Sequence, residues 1–302
     1  MKKYLILLAK LILFSILAVV FMLAISALLS VAGVVSVEDA TKRAVILMEG
    51  VLFVSVLLAA WIIIRFWDRL SFVDDMGFGF QYKGKDLLMG FCLAAIIYAI
   101  GFGVSLLAGW ISVEGVHFDA TALMLQFLLM VMVALAEESS VRGFVLGHML
   151  DVGMNKYLAL VLSSVIFASL HLGNPGMTNF SFFNLVLAGI LLGAVYIFTR
   201  NLWFSISLHL FWNFIQGPIL GYEVSGTSGS GNLLKLSLSD NSLMNGGNFG
   251  FEASLPCTIL MLIAIGFIIY EFEKRRKDEK TVMDLSAHNG LSDNDGTGTA
   301  VG

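Results

Sequence analysis

Long apolar runs divided by short polar connections set the pattern of this chain. Eight stand out: Tyr4–Val35, Ala44–Ile64, Leu87–Val113, Thr121–Leu150, Tyr157–Leu172, Phe182–Thr199, Leu202–Leu220 and Leu255–Tyr270. A helix needs about 20 apolar residues to cross the hydrocarbon core of a bilayer, and most of the runs reach that length. The fifth is short, and charge interrupts the fourth. Strands of a membrane barrel would alternate over about 10 residues. The runs here are continuous, so the spans are helices, whose amides find their partners inside the segment. The expected fold is an all-α membrane protein of about eight transmembrane helices in a single bundle.

The first run follows a basic start, Lys2-Lys3, and contains Ala24-Ile25-Ser26-Ala27, which has the look of a signal-peptidase site. It continues to Val35, however, well beyond the roughly 7–15 residues of a signal-peptide core. A first span is therefore expected, with Lys10 snorkelling to the near interface. The chain divides into N-terminal helices one to three (1–120), a core of helices four to seven (121–220), a Gly-, Ser- and Asn-rich stretch expected as a flexible outer loop (221–256), a last helix (257–277) and a polar tail expected to be disordered (278–302). No internal repeat is visible, which weighs against inverted-repeat transporters.

Composition agrees with this reading. Only 13% of residues are charged, 58% are hydrophobic, and the mean hydropathy is +0.88. Soluble domains carry about 25% charged residues, and disordered chains combine low hydrophobicity with high charge. The net charge of −4 gives no basic surface for nucleic acid. Cys92 and Cys257 form no CxxC spacing, so neither a disulfide framework nor a cysteine metal site is indicated. With the N-terminus cytoplasmic, fourteen Lys and Arg fall on the inner side and three on the outer. That bias orients both termini inward. The low basic content and short loops suggest a bacterial cell membrane.

Ionisable residues inside such runs are expensive, at roughly 2.5–3.5 kcal/mol each on insertion scales, and mark function by default. Three clusters draw attention. Glu137-Glu138-Ser139-Ser140-Val141-Arg142 lies in the fourth run. Adjacent carboxylates diverge by about 100° on a helix. Glu138 and Arg142 have the i,i+4 spacing of an ion pair, which leaves Glu137 free to act as a base; the plainer alternative is a helix ending near Ala136 with its acids at an interface. Phe167-Ala168-Ser169-Leu170-His171 precedes a Gly-Asn-Pro turn, where a histidine can equally be a satisfied helix end. His209 and Asn213, also i,i+4, leave one face of the seventh run; interhelical bonding is the plain alternative there. By helical rise Glu137 is about 20 Å from Leu150, His171 about 21 Å from Tyr157 and His209 about 13 Å from Arg200. All three fit inside a hydrocarbon layer of about 30 Å, so one polar chamber is geometrically allowed.

Together the motifs resemble those of the CPBP family of intramembrane proteases, which includes the type II CAAX prenyl endopeptidases and the Abi proteins. The family motifs EExxxR, FxxxH and HxxxN stand here as Glu137–Arg142, Phe167–His171 and His209–Asn213, in that order, and the similarity extends over about Leu135–Leu220. Val141 occupies a position where the family often carries Phe or Tyr. The resemblance implies an eight-helix bundle around an intramembrane chamber. It implies Glu137 as the base that activates water, His171 as its holder, His209 and Asn213 as oxyanion donors, and Glu138 with Arg142 as structural support. Glu137, His171 and His209 are also a possible zinc set, although no HExxH is present; metal-free glutamate catalysis is the favoured reading. The implied partners are the bilayer and a protein or peptide substrate, whose identity and prenylation the sequence does not reveal. A non-catalytic membrane regulator or bacteriocin-immunity protein of the same fold and a proton-coupled transporter are the alternatives.

Overall fold

The computed structural model describes residues 1–33, 42–79, 83–229 and 231–292. It begins with α1 (Lys2–Val31) and α2 (Lys42–Ile62), which continues through wide π-helical turns to Asp68. A short α3 (Phe72–Asp75) leads to α4 (Lys83–Leu107) and strand β1 (Ile111–Val116). Helix α5 (Ala120–Glu138) runs through a second set of wide turns, Ser139–Leu146, into α6 (Gly147–Asp151). Then come α7 (Lys156–Ser169), α8 (Asn179–Gly193), α9 (Tyr196–Thr199) and α10 (Trp203–Phe214), the last extended by π-helical turns to Ile219. Strand β2 (Leu234–Leu238), α11 (Ser242–Asn245) and α12 (Leu255–Ser292) complete the order.

The chain is thus an all-α, multi-pass membrane protein. Among the described residues six helices are long and apolar enough for a full span: Lys2–Val31, Ala44–Asp68, Gly84–Leu107, Ala120–Asp151, Asn179–Thr199 and Leu255–Met283. The other two of the eight expected spans are shorter. Helix α7 has 14 residues, about 21 Å of rise. Helix α10 has 12 and gains length only through its π-helical extension.

Two apolar cores flank the centre. One joins α4, α8, α10 and α12 around Tyr98, Trp212 and Phe251. The other joins α1, α2 and the wide turns after α5, with Phe14 stacked on Phe144 at 4.0 Å. Lipid supplies little hydrophobic drive between helices, so close backbone approach through small residues matters more. A Cβ on Gly90 of α4 would lie 2.7 Å from the Leu208 backbone nitrogen of α10, and one on Gly189 of α8 would lie 2.8 Å from Ser164 Cβ of α7.

Three expectations change. The third run was expected to span to Val113, but Gly109, at φ 69, follows the end of α4 and turns the chain. The β-branched Ile111, Val113 and Val116 then pair antiparallel with β2, with an irregularity between Val113 and Gly115. The segment 221–256, expected as a flexible loop, is folded: it holds β2 and α11, and buries Asn245, Phe249, Phe251 and Glu252. Asn245 donates to the carbonyls of Trp110 and Ser239. The expected disordered tail from residue 278 continues α12 as far as Ser292; just before it, Glu271 and Arg275, and Glu273 and Lys277, stand at i,i+4 spacings that support the helix entering it. Residues 293–302, including Asp293-Asn294-Asp295-Gly296, lie outside the described residues, as do Val34 and Val35 at the end of the first run.

Candidate active site

Each motif is held by its own local structure. The Asp119 side chain caps α5, accepting from the Ala122 amide at 2.9 Å. The helix carries Glu137 and Glu138 on its last turn, just before the π-helical turns; such turns recur at functional sites. Asn155 caps α7. His171 sits in the turn two residues beyond Ser169 rather than in the helix. Its Nδ1 lies 2.9 Å from the Phe167 carbonyl. His209 and Asn213 both lie on α10.

Glu138 and Arg142 are fully buried and paired at 2.7 Å. Arg142 also donates to the Gly189 carbonyl at 3.0 Å and stacks its guanidinium 4.5 Å from the centre of the Phe167 ring. Phe167, the first residue of its motif, thus packs against the buried cation. Glu138 has a second partner that local spacing does not reveal: His209 Nδ1, at 2.8 Å.

An acceptor stands against Nδ1 of each histidine: the Phe167 carbonyl for His171 and the Glu138 carboxylate for His209. Both rings therefore carry hydrogen on Nδ1 and present Nε2 to the same place. Each Nε2 is 3.9 Å from Glu137 Oε2. That oxygen is buried and has no hydrogen-bond partner. A separation of 3.9 Å is too long for a hydrogen bond and suits one bridging oxygen. Glu137, His171, His209 and Asn213 line one cavity of about 410 Å³. The Asn213 side chain pairs with no described residue.

The same cavity is lined by Glu49 of α2 and by Glu252, just before α12. Neither was singled out in the sequence. Glu49 carried a signal, being the one charged residue between Ala44 and Ile64. Glu252 carried none, because it lies in a stretch whose composition reads as loop.

Tetrahedral zinc with bonds of about 2.0–2.1 Å holds its ligand atoms roughly 3.3 Å apart. Among the described residues, the group of three His, Cys, Asp or Glu whose donor atoms all lie within 4.8 Å of one another is Asp75, His148 and Asp151. Glu137, His171 and His209 do not form such a group. As arranged here they do not fit a zinc ion. In the Asp75 group the donors are engaged: His148 Nε2 faces Asp68 at 3.1 Å, and Asp151 is bound by Arg200.

No curated protein and no solved structure matches the chain. One family model does, and the matched segment contains every motif residue from Glu137 to Asn213. Residues 119–215 match the model of the family described as Rce1-like, type II CAAX prenyl endopeptidase Rce1-like, so this segment is similar to that family.

Proposed function

We propose that this protein is an intramembrane endopeptidase that hydrolyses peptide bonds of membrane-associated or peptide substrates with a water activated by Glu137. The observation that carries this reading is the convergence of two imidazole Nε2 atoms, each 3.9 Å from the buried, unpartnered Oε2 of Glu137, in a single cavity. A water bridging Glu137 and His171 gives its proton to Glu137 and attacks the scissile carbonyl. The oxyanion is met by the Asn213 amide and by His209 Nε2–H, which donates when the ring is the imidazolium held by Glu138; one such donor is worth about 10²–10³ in rate. Glu137 then passes its proton to the leaving amine, as a base turned acid. Glu138 fixes the His209 ring, and Arg142 balances the buried charge of Glu138.

The reading is metal-free, and it places both termini on the cytoplasmic side of a bacterial cell membrane, in keeping with the distribution of Lys and Arg. Comparative N-terminomics of cells carrying wild type or Glu137→Ala tests the activity. New N-termini are expected in wild type only; identical sets would leave the protein a non-catalytic membrane factor. Metal analysis of the purified protein tests the chemistry. Stoichiometric zinc that is lost in His171→Ala would overturn the metal-free mechanism.

A further inference from the structure

Glu252 lies outside all three motifs and outside the segment 119–215, yet it forms part of the cavity wall. It is 4% exposed, and its carboxylate is held by neutral donors. Oε1 accepts from the Ser225 amide at 2.6 Å and the Ser225 hydroxyl at 2.7 Å, and Oε2 accepts from Trp212 Nε1 at 3.3 Å. A buried carboxylate needs such donors, because leaving it unpaired is costly.

The two ends of this network reach different walls of the site. Trp212 is the neighbour of Asn213 on α10 and packs edge-on to Tyr98 of α4 at 5.1 Å. Ser225 belongs to the segment that closes the cavity together with Val224, Thr227 and Ser228. Its carbonyl accepts from the Asn174 side chain at 2.8 Å, and the Asn174 amide donates to the His171 carbonyl at 3.0 Å. Ser225 stands at φ 47 and Gly226 at φ 78. A serine in the left-handed region persists only where its surroundings fix it; here the two bonds to Glu252 do so. Gly226 lets the Pro175 carbonyl approach to where a Cβ would stand, 1.9 Å away. Asn184 of α8 in turn clamps the backbone carbonyls of Glu252 and Ser254 at 2.9 and 3.1 Å.

We infer that Glu252 is a positioning residue of the site: it ties the roof segment 224–228 to the wall carrying Asn213 and to the turn carrying His171, and so sets the oxyanion side against the water side. Its effect on turnover rests on the peptidase reading, whereas the tie between roof and Trp212 does not. The test uses full-length protein in detergent micelles and a peptide spanning the strongest Glu137-dependent cleavage site. Glu252→Ala is expected to lower kcat about 10²-fold, the scale of a misplacement of about 1 Å, with KM little changed. Glu252→Gln retains one carbonyl acceptor and should fall between. The emission of Trp212 should shift in both variants, and Trp212→Phe should abolish the shift. Unchanged kcat and unchanged emission in both variants would overturn the inference. Wild type without Glu137-dependent cleavage would defeat the peptidase reading, and the emission arm would still decide the tie. If Glu252→Ala does not fold, Glu252→Gln and Ser225→Ala decide: a several-fold loss of kcat with shifted emission supports the role, and wild-type values for both refute it.

Discussion

Two clusters of acid, histidine and cation sit along the continuous helix from Ala120 to Asp151, and they differ in what they leave over. In the cluster near its C-terminal end, Asp68 receives Lys10 and His148, Asp151 receives Arg200, and His148 Nδ1 lies against the Phe144 carbonyl at 2.9 Å. Each of these carboxylates meets a basic side chain, and the network joins α1, the end of α2, α6 and the chain after α9. In the other cluster Arg142 and His209 both serve Glu138, and the neighbouring Glu137 keeps a buried oxygen without a partner. Burial alone does not separate structure from chemistry, since His148 is as buried as His209. The separation lies in where the free oxygen points: Glu138 Oε2 is also buried without a partner, but Glu137 turns such an oxygen into the cavity, toward the two imidazoles.

The contrast breaks most visibly at Glu137. Glu137→Ala should remove cleavage by about 10²–10⁴-fold, the range for a general base. Its detergent melting temperature should stay within about 3 °C of wild type, because no partner is stranded. Arg142→Ala should do the reverse. It strands a buried carboxylate, at a cost of about 3–5 kcal/mol, read as a large drop in melting temperature and yield before activity can be assayed. A smaller effect is expected at Asp75, beside the other cluster. Burial, and then the neighbouring Asp151, hold its carboxyl above the usual carboxylate range. The folded state therefore binds more protons there than the unfolded state, and its stability falls as pH rises through that interval. Asp75→Asn should melt slightly higher than wild type at pH 7, with the gap closing near about pH 4. The smallest effect belongs to the exposed Glu114–Lys235 pair across the strand ribbon, 2.8 Å apart. The Lys235 hydrogen bond holds the Glu114 carboxyl below its ordinary value, but water screens the pair, so Glu114→Gln should melt with wild type.

What the sequence made legible was local. Glu138 and Arg142 are one helical turn apart, and the ion pair could be read from spacing. So could the shared face of His209 and Asn213, because a helix repeats whatever its surroundings. The second partner of Glu138 is 71 residues away in sequence, and no spacing rule reaches that far. The apolar run from Leu87 read as helix to Val113 because hydropathy does not distinguish β-branched strand residues from helix residues. The phase change at Gly109 lay in backbone conformation. The segment 221–256 read as loop because glycine and serine dominate it. Its fold rests on a few well-placed residues: Asn245, Phe249, Phe251 and Glu252. Phe251 seats against Gly101 of α4, where a Cβ would lie 2.2 Å from the ring.

The wide turns at Ser139–Leu146 phase the two halves of their helix independently. Before them, Glu137 faces the cavity; at their far end and beyond, Phe144, Leu146 and Met149 face the core shared with α1 and α2. Deleting one residue here would favour an ordinary α-helix and rotate everything downstream by about 100° relative to Glu137. Phe144 would leave Phe14, and His148 would leave Asp68. The stretch is therefore constrained in length as well as in letter: a residue gained or lost between positions 139 and 146 would turn the packing of α6 away from the side of the helix that Glu137 requires.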